Sequence, residues 1–237
     1  MMKDIKFSCD GLQLTATLHL PEVKRPPVVI GCHGLFSDRN SPKQIALARE
    51  CNRNDLGFLR IDHRGCGDSQ GEFHAVTSLE ARCNDLIAAI ELVKSRDDTA
   101  DKVGLFGSSM GGAVCLAVAG SLGLAPIVTV AAPIMSRHIT DSVETPQTPH
   151  HGAARFDVHK NSFDITQTLA GVSNILILHG AKDHVVPPDH AREIFHLAGE
   201  PKKLVIQKGG DHRMSDPSHQ REFVREASLW FRNGLSE

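Results

Sequence analysis

The stretch Gly104-Leu-Phe-Gly-Ser-Ser-Met-Gly-Gly-Ala113 sets two serines side by side between glycines. A Gly-x-Ser-x-Gly frame drawn from Gly107 to Gly111 centres on Ser109 and leaves Ser108 as the residue before it. Such a frame suits a sharp strand–turn–helix elbow, in which small residues let the flanking segments pack closely around an exposed hydroxyl. The other reading is a glycine-rich turn that cradles phosphate. That turn would need a Gly-x-x-x-x-Gly-Lys-Ser/Thr or Gly-x-Gly-x-x-Gly run, and neither is here. A serine hydroxyl is a weak nucleophile at neutral pH, so Ser109 as nucleophile requires a base, and the base a carboxylate to orient it.

The second half of the chain offers both. Ile-Leu-Ile-Leu-His-Gly (175–180) reads as a buried strand, with Asp183 in the loop beyond it. Leu-Val-Ile-Gln (204–207) reads as another, followed by a glycine-bearing loop that carries His212. Asp211 is a rival carboxylate and His184 a rival base. Sequence neighbours point different ways in a loop, and Asp183 with His212 fits the strand ends better. The chemistry also needs donors for a developing oxyanion. Val-Val-Ile-Gly-Cys (28–32) runs into His33-Gly34-Leu35, where the Leu35 N–H can join that of Met110, the residue after Ser109. One such donor is worth roughly 3 kcal/mol in the transition state. His33 reads as a turn histidine that supports this loop and borders the substrate pocket.

These residues need a scaffold that gathers strand ends. Ile5–Cys9 and Gln13–Leu20 flank Asp10-Gly11, a strong hairpin signal. After Pro26-Pro27 the apolar run 28–32 is of the type buried on both sheet faces. Strand and helix patterns then alternate. Helices are expected at 45–52, 79–94, 111–121, 189–197 and about 217–231, and strands at 58–62, 102–106, 127–130, 175–179 and 203–207. This rhythm predicts a mostly parallel sheet covered on both faces. Ala132–Ile165 interrupts it, being rich in Pro, His, Thr, Ser and Asp. A long irregular insertion of this kind is expected to act as a lid. Its few large apolar side chains, Phe156 and Phe163 among them, would line a shallow acyl pocket. The whole chain, 1–237, is expected to form one domain with this lid.

Composition narrows the classes further. The chain has 26 Lys and Arg against 28 Asp and Glu, with no basic block, so neither nucleic acid nor an anionic membrane surface is an expected partner. No apolar run is long enough to span a bilayer, and the N-terminus has no signal-peptide pattern. The six cysteines show no CxxC spacing and read as buried, reduced thiols of a cytoplasmic protein. The 14 histidines form no ligand-spaced pairs near carboxylates, so neither a metal nor any other cofactor is expected. The chain would act as a monomer or homodimer.

Taken together, His-Gly at 33–34, Asp-His-Arg-Gly-Cys-Gly-Asp-Ser-Gln-Gly at 62–71, Gly-Ser-Ser-Met-Gly at 107–111, His-Gly-Ala-Lys-Asp-His-Val-Val-Pro at 179–187 and Gly-Gly-Asp-His at 209–212 resemble the α/β-hydrolase superfamily. Within it the chain is similar to small serine esterases of the feruloyl or cinnamoyl type. The resemblance spans essentially the whole chain. It implies an α/β-hydrolase fold, with Ser109 as nucleophile, Asp183 as acid, His212 as base, and the amides of Leu35 and Met110 as oxyanion donors. The activity it implies is cleavage of a small-molecule carboxylic ester of a small or medium acyl or aryl-acyl group through an acyl-enzyme. A thioester or amide is the alternative within the superfamily, and a silent binding module the alternative outside it. The insertion here is shorter than in feruloyl esterases and has no Tyr or Trp. It therefore implies the hydrolytic machinery without grip on a phenolic acid. The 62–71 loop is expected to buttress the site through its Asp-Arg pair, and Cys66 within it is open to exposure.

Overall fold

The computed structural model describes residues 1–136 and 162–236. Its chain order explains its sheet. Strands β1 (Met2–Cys9) and β2 (Leu12–His19) form the hairpin, with Asp10 and Gly11 both at positive φ in the turn. Six further strands follow: β3 (Val28–Cys32), β4 (Gly57–Ile61), β5 (Val103–Ser108), β6 (Ile127–Val130), β7 (Ile175–Gly180) and β8 (Lys202–Gln207). They join the hairpin in one sheet of order β1-β2-β4-β3-β5-β6-β7-β8. The hairpin and the β2–β4 pair are antiparallel, and every pair from β4 to β8 is parallel.

Strands β3, β4, β6 and β7 are buried at every residue, which only helices on both faces can achieve. Alternate residues separate to the two sides, as the pleat demands. Ile30, Leu59, Leu105, Ile127 and Ile177 join one core with Leu86 and Ile90 of α3 (Leu79–Lys94), Val114 of α4 (Met110–Leu122) and Ile194 of α5 (Asp189–Leu197). Val29, Phe58, Phe106, Val128 and Leu176 join the other with Leu47 of α1 (Pro42–Arg53) and Phe223 and Phe231 of α6 (Pro217–Leu235). Each such side chain contributes about 1.5–3 kcal/mol on burial. The helices begin where their caps say: Ser78 accepts from the Ala81 amide to start α3, and Asp216 accepts from that of Ser218 ahead of Pro217 in α6. A short helix, α2 (Phe73–Val76), and a 3-10 helix (Thr166–Gly171) lie between these elements.

Strand order matters for function at one place. From β3 the chain crosses to β4 on one side, and later returns to place β5 on the other. The loops leaving β3 and β5 therefore diverge, and this switch point is where open α/β sheets bind ligands. The ends of the 132–165 insertion are pinned together. The Ile165 amide donates to the Ile134 carbonyl at 2.8 Å, that of Ser136 to Phe163 at 3.0 Å, and Met135 bridges Asp164.

Among the described residues no helix is long and apolar enough to cross a membrane. All six cysteines are free, and all but Cys83 are buried. Burial pushes the thiols of Cys51, Cys66 and Cys83 up, the last to about 12, which suppresses thiolate chemistry. Cys66 is thus closed to solvent, not exposed.

Candidate active site

Ser109 follows β5 directly and has φ 54° and ψ −125°, a conformation that costs a non-glycine residue on the order of 1–3 kcal/mol. The elbow is held in that strained state from several sides. The Ser109 amide donates to the Val130 carbonyl at 2.8 Å, and the Ser109 carbonyl accepts from Gly112 at 2.8 Å. A side chain at Gly107 would collide with the Gly111 carbonyl, and one at Gly111 with the Cys32 carbonyl. The glycine frame is therefore a packing requirement that lets α4 start against β3 and β5, and it lifts one hydroxyl clear.

His212 meets that hydroxyl. Its Nε2 lies 3.1 Å from Ser109 Oγ, and its Nδ1 lies 2.8 Å from Asp183 Oδ2. A carboxylate only accepts, so Nδ1 carries the proton and Nε2 turns its lone pair to the serine. The structure thus brings Ser109, His212 and Asp183 into one relay beyond three strand ends. Asp211 faces away, accepting from the Ser215 amide at 2.7 Å and hydroxyl at 2.6 Å. His184 is exposed and stands outside the relay.

The Asp183 carboxylate is wholly buried. Burial alone would push its pKa up. Hydrogen bonds from His179 and His212, the His212 charge and the Val186 amide outweigh that and hold it well below the usual carboxylate range. Its Oδ1 accepts from the amides of Val185 at 2.9 Å and Val186 at 2.8 Å. His179 is a residue that spacing did not single out. Its Nε2 is 2.9 Å from the Val186 carbonyl and 3.2 Å from Asp183 Oδ2, so it braces the acid loop against β7.

On the other side of the switch point, Gly34 abuts the serine: a β-carbon built there would sit 3.5 Å from Ser109 Cβ. No hydrogen bond among the described residues uses the Leu35 or Met110 amide, which leaves both donors uncommitted beside the elbow. His33 is buried behind this loop and not on an open pocket wall. Its Nε2 accepts from the His63 amide at 3.1 Å, and its Nδ1 donates to the Gly34 carbonyl at 2.7 Å.

The 62–71 loop divides its Asp-Arg pair between two partners. Buried Asp62 pairs with Arg39 and accepts from the Arg39 and Asp68 amides, whereas Arg64 pairs with Asp85 of α3 at 2.7 Å and Asp10 at 2.8 Å. Arg39 and Asp85 are further residues of this support that no local motif marks, and His63, inside the 62–71 motif, joins them through Asp85. Phe163 sits half-buried against the larger core. Phe156 lies outside the described residues, as does most of the insertion. Among the described residues no group of His, Cys, Asp and Glu is placed to hold a metal.

The arrangement is that of a base-activated alcohol, and the chain is similar to known proteins in both sequence and fold. Residues 24–146 match the family model described as serine aminopeptidase, S33. YfhR, an uncharacterised protein of Escherichia coli O157:H7, is 31% identical over 208 residues, covering 86% of this chain and 69% of its own. The mitochondrial palmitoyl-protein thioesterase ABHD10 of Mus musculus is 24% identical over 216 residues, covering 81% and 71%. In fold, Est1E of Butyrivibrio proteoclasticus with bound ferulic acid is similar at a TM-score of 0.78 and 18% identity, covering 98% of this chain and 100% of that one.

Proposed function

Because the chain belongs to the serine aminopeptidase (S33) family of α/β hydrolases, we propose that it is a serine hydrolase that cleaves carboxylic esters of small or medium acyl groups. The observation that carries this reading is the continuous relay from Ser109 Oγ through His212 to Asp183. In it His212 Nε2 takes the hydroxyl proton as Oγ attacks the ester carbonyl. Asp183, held ionised, stabilises the imidazolium that forms. The carbonyl oxygen becomes an oxyanion beside the Leu35 and Met110 amides. Collapse expels the alcohol, which takes its proton from His212, and leaves an acyl group on Ser109. Water, activated by the same histidine, then releases the acid.

The relation to a thioesterase favours acyl thioesters as the second substrate class. The same relay serves both, since only the leaving group changes.

A fluorophosphonate probe should label Ser109 in the native protein, and Ser109→Ala should take no label. A panel of p-nitrophenyl esters of rising chain length, an acyl thioester and an amino-acid p-nitroanilide then ranks the substrates. Labelling at another residue, or turnover of the anilide alone, would overturn the ester reading.

A further inference from the structure

Arg82 lies one turn into α3, and its side chain is fully buried. A guanidinium stays charged at any physiological pH, so burying it is costly unless its charge is met. The positive end of the helix dipole makes this position worse for a cation. Yet no ion pair reaches Arg82 among the described residues, and its guanidinium has only the face of the Phe73 ring, with the centroid 6.0 Å from Cζ, to offset its charge. The buried carboxylates Asp62 and Asp85 are taken by Arg39, and by Arg64 with His63. Arg82 reaches loops instead. Its Nη2 donates to the Leu35 carbonyl at 2.9 Å, its Nε donates to Thr77 Oγ1 at 3.2 Å, and Nη2 is also 3.4 Å from Cys66 Sγ. Its Nη1 makes no hydrogen bond among the described residues.

Leu35 is consequently held on both sides. The Gly34 carbonyl shares a peptide plane with the Leu35 N–H, and it accepts from His33 Nδ1 at 2.7 Å and from the Ser37 amide at 3.2 Å. The Leu35 carbonyl belongs to the next plane and accepts from Arg82. Peptide planes are rigid, so fixing two in succession fixes the only soft dihedrals between them and thereby aims the Leu35 N–H.

We propose that Arg82 is a positioning residue for the oxyanion loop. It clamps the Leu35–Phe36 peptide so that the Leu35 N–H points at the reacting carbonyl, and its positive charge, paired with no carboxylate among the described residues, gains an anionic counter-charge when that oxygen becomes anionic. The second effect exists only in the transition state, so Arg82 acts on kcat and not on ground-state binding. The inference rests on the reading of Ser109 as nucleophile.

The test compares Arg82→Gln and Arg82→Lys with the native enzyme, each normalised to folded protein by circular dichroism. Steady-state kcat and KM are measured on p-nitrophenyl butyrate, with the inhibition constant of an aryl trifluoromethyl ketone, whose serine adduct carries an oxyanion. The Gln variant should lose about 10- to 100-fold in kcat with KM changed less than about twofold, and should bind the ketone more weakly by the same factor. The Lys variant, which keeps the charge, should recover part of both losses. A folded Gln variant with kcat within about threefold of native overturns the proposal, as does a kcat loss without loss of ketone affinity. If the Gln variant does not fold, the Lys variant decides by the same two measurements against native enzyme. Ser109→Ala tests the underlying reading separately. Undiminished hydrolysis by that variant removes the nucleophile assignment, and the Arg82 proposal falls with it.

Discussion

His212 lies 2.8 Å from Asp183 through Nδ1, and His63 lies 3.3 Å from Asp85 through the same ring nitrogen. Both aspartate side chains are completely buried, and both stand below the usual carboxylate range. The pairs part company at their far ends. The His212 side chain keeps 20% of its surface exposed and turns Nε2 to a hydroxyl. The His63 side chain has no exposed surface and sits against the Cys32 thiol. Their carboxylates are also paid for differently: Asp85 has the permanent cation Arg64 at 2.7 Å, whereas Asp183 leans on two backbone amides and on histidines. A histidine–aspartate pair is thus no sign of catalysis by itself. It becomes a base where the outer nitrogen meets a reactive hydroxyl that substrate can reach, and it is a structural tie where that nitrogen is sealed.

Substituting the two acids should separate those roles. Asp183→Asn should lower kcat by about 10⁴-fold with little change in thermal stability, since an amide favours the wrong imidazole tautomer. Asp85→Asn should do the reverse. Breaking a buried pair costs about 3–5 kcal/mol, or roughly 6–20 °C in Tm for a chain of this size, while kcat of the folded fraction stays within about threefold. Steady-state kinetics and calorimetry on both variants check this, and an Asp85 variant that folds normally but is inactive would erase the distinction.

A smaller effect comes from pH. Burial raises the Asp85 pKa, but His63 and Arg64 pull it lower still, so the net shift is downward. A depressed carboxylate contributes stability that is fully present above its unfolded value, near pH 3.9, and is lost as pH falls through the folded value. His63 works in the opposite sense. Burial pushes it down, but Asp85 and Cys32 raise it on balance, so its contribution is present below about pH 6.5 and fades as pH rises through the folded value. Tm measured from pH 6 to pH 3 should therefore fall less steeply for the double variant Asp85→Asn with His63→Gln, which removes both titrating partners, than for the native chain. Equal slopes would mean that Asp85 and His63 titrate as they do unfolded.

The smallest effect is expected at Ser108. It ends β5 beside Ser109 but has no place in the relay, so Ser108→Ala should keep kcat within about threefold of native. A loss rivalling that of Ser109→Ala would move the nucleophile by one residue.

Much of this was legible in the sequence wherever the signal was local. Strand 28–32, helix 79–94, strand 127–130 and helix 189–197 have the bounds their patterns indicate, and the glycines around Ser109 mark a turn that packing requires. The short helix Phe73–Val76 and the 3-10 helix Thr166–Gly171 are too brief to show a period. The support behind the site is non-local. Asp62 finds Arg39 and not its motif neighbour Arg64, and no spacing rule could pair them. Arg82 and Asp85 did leave a trace. They fall on the same helical face as Leu86, Ala89, Ile90 and Val93, where a charged residue must be buried against something. A polar residue on an apolar stripe marks a tie as clearly as a glycine marks a turn.

The pinned ends of the insertion carry a consequence for how such a protein diversifies. The Ile134–Ile165 and Ser136–Phe163 hydrogen bonds fasten the outgoing and returning chain at one doorway, between the end of β6 and the 3-10 helix that leads to β7. Whatever peptide is spliced between them departs and arrives at the same two points, and its length alters the entropy of closure only slowly. Strands β6 and β7 need not shift when that peptide is exchanged. Selection can therefore graft new binding sequences onto this socket while the hydrolytic scaffold beneath is inherited whole.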